Sequence, residues 1–368
     1  MTENLSHDSN ASFAPTSVAP RQVPAIIRLT AAAAGVLTSL PQGVLRLVGT
    51  RTNADGNTLD ADVAASLKGL SIVEGEDIAH LPPQQGRESL DNQAYLATPK
   101  GLPVGSVTEH RVAGVRVRHY RPKGAEGVDV QLPTVVYFHG GGWVLGSLDS
   151  HDSTCRWLCN RGEVAVLSVD YRLAPEAPFP AGIDDATAVT LAVLSGEVEG
   201  VDPSRVATAG DSAGGNLSAV VNLRLRDESQ PQPKLQMMFV PVTDLRSMDT
   251  ASHNEFAEGL FLTKEQMEWY REHYVPNEAD RANAYVSPLA AEDLSGLPPA
   301  YVAVAGFDPL RDEGEAYARR LAEAGVEVTL RRHEGLVHPF ANSTGIWRGA
   351  RQALDEAVGA LRLALNIV

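Results

Sequence analysis

From about Gly105 to the C-terminus the sequence alternates short Val-rich runs with longer stretches of helical periodicity, which limits the chain to few folds. GVRVRHY (114–120), TVVYF (134–138), VAVLSVDY (164–171), RVATA (205–209), LQMMFVPVTD (235–244), AYVAVAGF (300–307) and VEVTLRRH (326–333) read as strands. Most are continuously apolar, the pattern of strands covered on both faces. Strands separated by helices predict an α/β fold with a mostly parallel central sheet covered by helices. In such sheets ligand sites gather beyond the carboxyl ends of the strands. HGGGW, GDSAGG and DPLRD each follow directly on such a run, and His338 lies in the loop after another.

The rest of the chain is read around that sheet. Residues 1–20, rich in Ser, Asn, Thr and Pro, read as a mobile tail. Residues 21–104 carry helical signals and few strand-like ones and are expected to form a helical cap region. The α/β domain then spans 105–368, with a second helical insert at about 247–285 where Thr263 is a natural N-cap with Gln266 three residues later. The segment 23–50 is apolar, but Arg28, Pro41 and Arg46 interrupt it, so no stable membrane insertion is expected. Glu3 and Asp8 precede the first cation, Arg21, unlike a secretory leader, so a cytoplasmic location is expected without excluding secretion.

A formal charge of −15 argues against nucleic acid as a partner and disfavours docking on anionic lipid. Cys155 and Cys159, four apart on an expected helix, suit neither a disulfide nor a zinc site and read as free thiols. No metal and no organic cofactor is expected.

The stretch RVATAGDSAGGNLSAVV (205–221) carries the chemistry. A strand delivers the chain to a turn too sharp for flanking side chains, and Gly210, Gly214 and Gly215 remove them. The turn thrusts Ser212 outward at the N-terminus of a helix, a nucleophile elbow. A dinucleotide turn would need the full glycine spacing, which is missing. A serine needs a base, and the base an orienting acid. Of the histidines downstream, His253 and His273 lie in the insert and His333 ends a strand-like run, leaving His338 in EGLVHPF as the favoured base. Asp308, immediately after AYVAVAGF, is the candidate acid, while Asp312 suits a helix N-terminus. The glycines of HGGGW supply backbone N–H groups for an oxyanion: Gly141 and Gly142 together with Ala213, with Gly140 as a substitute. Gly141 and Gly146 have P-loop spacing, but Leu148 stands where the lysine would be.

HGGGW, DYRLAPEAPFPAGIDDA (170–186), GDSAGG and DPLRDEG, in this order, resemble the blocks of the hormone-sensitive-lipase-like family of bacterial esterases, in its GDSAG branch. The resemblance covers roughly residues 105 to 365 and implies the α/β-hydrolase fold. It implies Ser212 as nucleophile, Asp308 as acid and His338 as base, with Tyr171, Arg172 and Glu176 structural and His139 shaping the glycine loop. It further implies a lid from the N-terminal region and short to medium acyl chains. One departure is Pro339, where the family commonly has Gly, which predicts a stiffer loop after His338.

The expected reaction is hydrolysis of a small carboxylic ester through an acyl-enzyme, with activity falling as pH drops through the ordinary histidine range, about 6 to 7. An acyltransferase would use the same triad with another acceptor in place of water, and a non-catalytic binding protein of the same fold would lack the intact triad. Trp143, Leu260, Phe261 and Met267 are candidates for lining an acyl pocket, against the alternative of ordinary cap packing. A homodimer through the terminal sheet edge is compatible with this layout.

Overall fold

The structure, a computed structural model, describes residues 16–19, 21–70, 77–127 and 129–367. Its centre is one nine-stranded sheet: β1 (Thr16–Ser17), β2 (Ser106–Val112), β3 (Val115–Arg121), β4 (Leu132–Phe138), β5 (Ala165–Val169), β6 (Val201–Asp211), β7 (Leu235–Phe239), β8 (Ala300–Phe307) and β9 (Val328–Val337). Their spatial order is β1-β2-β3-β5-β4-β6-β7-β8-β9. The first three strands run antiparallel, and β5 through β9 are mutually parallel.

Helices cover the sheet: α1 (Ala25–Ser39), α2 (Gln42–Leu45), α3 (Ala61–Leu70), α4 (Pro83–Ala97), α5 (Asp152–Gly162), α6 (Ala181–Leu194), α7 (Ala213–Asp227), α8 (Ala251–Glu255), α9 (Lys264–Tyr274), α10 (Arg311–Glu323) and α11 (Arg348–Ala364). The two-residue pleat of the strands divides the core. On β4, Val135 and Tyr137 join Leu158 of α5 and Leu354 and Leu361 of α11, while Val136 and Phe138 join Ile183 of α6 and Val220 of α7. All four β4 side chains are fully buried. Each contributes at most about 1.5–3 kcal/mol by removal from water.

Several strands differ from their expected limits for local reasons. β2 has no counterpart among the expected strands, because SVTEHRV is charged: Glu109 pairs across the ladder with Arg116 and Arg118 on a half-wet antiparallel edge. β7 stops at Phe239 rather than 244, since Val240 takes φ 42° and Pro241 follows. β9 continues past His333 to Val337, so His333 lies within a strand with its ring 5.4 Å from that of Phe340. Of the expected tail, residues 1–15 and 20 lie outside the described residues, and Thr16 and Ser17 pair with Glu109 and Thr108. Cys155 and Cys159 are free and buried, and burial pushes the Cys159 thiol up to about 12.

Four turns converge at the carboxyl edge of the parallel strands: the glycine turn after β4, Ser212 after β6, Asp308 after β8 and His338 after β9. Above them, residues of the 21–104 and 247–285 segments touch. Thr263 and Gln266 form the expected capping box on α9, and the Gln266 amide donates to Asp77 Oδ1 at 3.0 Å. His80 Nε2 meets Glu265 at 3.0 Å.

Candidate active site

The elbow is built by exclusion of side chains. A Cβ on Gly214 would fall into the carbonyl of Phe138, and one on Gly210 into the carbonyl of Gly214. The chain therefore turns within one residue, and Ser212 takes φ 56° and ψ −118°, outside the regions a side chain normally tolerates. Its N–H donates to Phe239 at 2.8 Å, and its carbonyl accepts from Asn216 at 3.0 Å, locking the strained residue between β7 and α7.

Asp308 is fully buried and accepts twice: from Leu310 N–H at 3.0 Å on Oδ1, and from His338 Nδ1 at 2.9 Å on Oδ2. The carboxylate can only accept, so Nδ1 carries the proton and the lone pair of the neutral ring sits on Nε2. The 3-10 turn His338–Asn342 is tied to the elbow, because Asn342 Nδ2 donates to Asp211 Oδ2 at 3.1 Å. Pro339 occupies the second position of that turn, where no N–H is required.

Asp211, the residue before Ser212, is the hub of a buried network that sequence reasoning missed. Tyr137 OH donates to Oδ1 at 2.6 Å, and His151 Nε2 lies 3.0 Å from Oδ2. Gly140 N–H lies within bonding distance of both Asp211 Oδ1 (3.2 Å) and His151 Nε2 (3.1 Å). Burial alone would raise the Asp211 carboxyl, but His151, Tyr137 and the nearby His338 outweigh it and hold it below its ordinary value. The available signal was a carboxylate at the end of a fully buried strand, which must find partners.

The same bonds sort the glycine amides. Gly140 N–H is engaged with the Asp211 carboxylate, whereas the amides of Gly141, Gly142 and Ala213 have no acceptor among the described residues. Gly141 (φ 110°) and Gly142 (φ 60°) both need the left-handed region. A Cβ on Gly142 would enter the ring of Tyr270 from α9, so the insert closes directly over this loop. From α4, Arg87 donates to the carbonyls of Val144 (2.8 Å) and Ala174 (3.0 Å) and pairs with Glu176. His139 stacks on Tyr171 at 4.3 Å, and Tyr171 OH donates to the His139 carbonyl at 2.7 Å.

The four pocket candidates do not form one group. Trp143 is buried and stacked on Tyr274 at 4.2 Å, in the same core cluster as Met267. Leu260 belongs to the opposite cluster, and Phe261 packs edge-on against Trp347 at 5.5 Å.

Burial, helped by the charge of His151, lowers His139 to about 3; burial, with His110 and Arg121, does the same to His119. Both rings fold neutral while the unfolded chain protonates near 6.5, so their contribution is complete above 6.5 and lost as pH falls from there toward 3. Each costs up to about 1.4 kcal/mol per pH unit in that window. Urea midpoints should therefore decline between about pH 7 and pH 5, and a flat midpoint would contradict the neutral burial of these rings.

The alpha/beta hydrolase fold family matches over residues 135–342. Carboxylic ester hydrolase LipN of Mycobacterium tuberculosis (strain ATCC 25618 / H37Rv) is 40% identical over 347 residues, covering 90% of this chain and 91% of that one. Esterase LipI of the same organism is 43% identical over 239 residues, 64% of this chain and 74% of its own. Among solved structures, an ester-hydrolase from the metagenome of Lake Arreo, complexed with a derivative of bipyridine phosphonate, superposes with a TM-score of 0.79 at 39% identity. That match covers 84% of this chain and 99% of the other.

Proposed function

We propose, from the premise that this chain belongs to the alpha/beta hydrolase fold family and is a carboxylic ester hydrolase, that it cleaves short- to medium-chain esters through an acyl-enzyme on Ser212. His338 Nε2 takes the Ser212 proton as Oγ attacks the ester carbonyl. The oxyanion is held by the N–H groups of Gly141, Gly142 and Ala213; Gly140 is left out because its N–H is engaged elsewhere. His338 then gives the proton to the departing alkoxide, and water, deprotonated by the same nitrogen, releases the acid. Asp308 keeps the proton on Nδ1 and stabilises the imidazolium. No step calls for a metal or an organic cofactor.

The observation that carries this reading is the 2.9 Å bond from His338 Nδ1 to Asp308, on adjacent strand ends, with the strained Ser212 tied to the same turn through Asp211 and Asn342. The 21–104 segment, through α4, and the 247–285 insert act as the cap over the ester. Trp143 and Met267 shape the acyl side through the core cluster they share, and Leu260 and Phe261 do so from the other flank.

A fluorophosphonate probe followed by peptide mapping tests the nucleophile, with the adduct expected on Ser212. A series of p-nitrophenyl esters tests the acyl range: rates should be high from acetyl to octanoyl and fall for palmitoyl. An adduct on another serine would remove the assignment of Ser212, and a palmitoyl ester turned over as fast as a butyryl one would remove the acyl range.

A further inference from the structure

The helix α1 is built inside out. Its packed side carries small residues, Ala31 and Thr38, which let it lie close on α3 and α4. Its large aliphatic side chains point away from the protein: Ile26, Leu29 and Val36 are each about two-thirds exposed. The stripe continues through Leu40 and Val44 to Leu47, which is 85% exposed. Of the large apolar side chains exposed among the described residues, all but Val130 and Leu363 lie between residues 26 and 47. Large apolar side chains left exposed in one short segment mark an interaction surface.

The charge on this segment selects the partner. Between Ser9 and Ala54 the sequence holds Arg21, Arg28, Arg46 and Arg51 and no Asp or Glu, within a chain of net charge −15. The chain-wide negative charge that disfavours anionic lipid is therefore absent here. Arg28, Arg46 and Arg51 form no ion pair with a carboxylate among the described residues. Arg348 adds a fifth cation at the same end, donating to the carbonyls of Ser39 and Leu40. A face-to-face contact with a second copy would appose these arginines, whereas an anionic bilayer neutralises them.

The geometry suits lying in an interface rather than crossing it. No single described helix is long and apolar enough to span a membrane, and the chain bends by 104° between Ala25–Ser39 and Gln42–Val48. An amphipathic segment rimmed by arginines, with aliphatic residues on its outer face, buries that face at the depth of the headgroups while the guanidinium groups stay at the phosphates. We propose that the outer face of α1 and the following turn docks this protein on the surface of an anionic phospholipid bilayer. Arg348 opens α11 shortly after the turn carrying His338, so docking presents the cap side of the molecule to the lipid. The proposal does not depend on which ester is hydrolysed.

Co-sedimentation of the full-length protein with phosphatidylglycerol vesicles and with phosphatidylcholine vesicles tests this. Wild type should partition onto phosphatidylglycerol at least on the order of tenfold more strongly than onto phosphatidylcholine. The variants Leu29→Ser/Val36→Ser/Leu47→Ser and Arg28→Gln/Arg46→Gln/Arg51→Gln should each lower that partitioning on the order of tenfold. Both alter exposed side chains, and both should keep wild-type turnover of water-soluble p-nitrophenyl acetate, which separates lost docking from lost folding. Equal retention on the two lipids, or retention unchanged in either variant, overturns the proposal. So does a wild-type protein that stays in the supernatant, whether or not it self-associates through this face.

Discussion

Replacing Ser212 by alanine should lower kcat on p-nitrophenyl butyrate by a factor on the order of 10⁶ with little change in KM, and should abolish fluorophosphonate labelling. That scale is what removal of the nucleophile costs serine hydrolases whose triads act as a unit. The fold should not suffer, since the backbone bonds to Phe239 and Asn216 hold the turn and no Oγ bond among the described residues contributes to it. The backbone at φ 56° is strained for any residue with a side chain, at a cost of about 1–3 kcal/mol. Glycine relieves that strain, so Ser212→Gly should be inactive yet more stable than Ser212→Ala by up to that amount. Thermal melts and stopped-flow assays on the three proteins decide it. An alanine variant with wild-type turnover would place the nucleophile elsewhere.

The second large effect is expected at a residue that touches no substrate. Asp211→Ala should destabilise the protein by about 3–5 kcal/mol, the usual cost of removing one partner from a buried charged network. Four buried groups lose their acceptor: the Tyr137 hydroxyl, the Gly140 amide, the Asn342 amide and His151. The loss should reach the chemistry as well, since Gly140 anchors the proposed oxyanion loop and Asn342 anchors the turn bearing His338. Asp211→Asn keeps an acceptor oxygen and should fall between wild type and alanine on both counts. The pH dependence has a definite sign. The folded carboxyl lies below its ordinary value of 3.8, so its stabilisation is complete above that value and is lost as pH falls through the lower folded value. The gap between wild type and Asp211→Ala in urea unfolding should therefore narrow in acid. An alanine variant within about 1 kcal/mol of wild type at neutral pH would mean that the network carries no weight.

What could be read from the sequence follows from how local each feature is. Gly210 and Gly214 announce the elbow because a steric demand within five residues leaves few other residue types. Asp308 and His338 are legible because each stands just past a Val-rich strand, and parallel strands end on one edge. β2 was hidden because a half-wet strand next to the sheet edge, stabilised by Glu109 and two arginines, has no apolar signature. Asp211 was hidden for another reason. Its partners come from positions 137, 140, 151 and 342, which only the folded sheet brings together. The same holds for Tyr270 above Gly142, and for Trp143, whose neighbourhood is set by Tyr274 from a helix more than a hundred residues away. The outward aliphatic stripe of α1 reads as ordinary amphipathic cap material until the packed side proves to be the one lined with small residues.

Arg87 makes α4 and the chain after the glycine turn a single mechanical part. It reaches from α4 to the carbonyls of Val144 and Ala174, and Trp143, next in the chain to Val144, is stacked on Tyr274. The segment 83–97 is therefore not an interchangeable module. A graft that brought a different helix over residues 83–97 without a guanidinium in register would leave the hydroxyl, imidazole and carboxylate in place and still slacken the amides proposed to grip the tetrahedral intermediate.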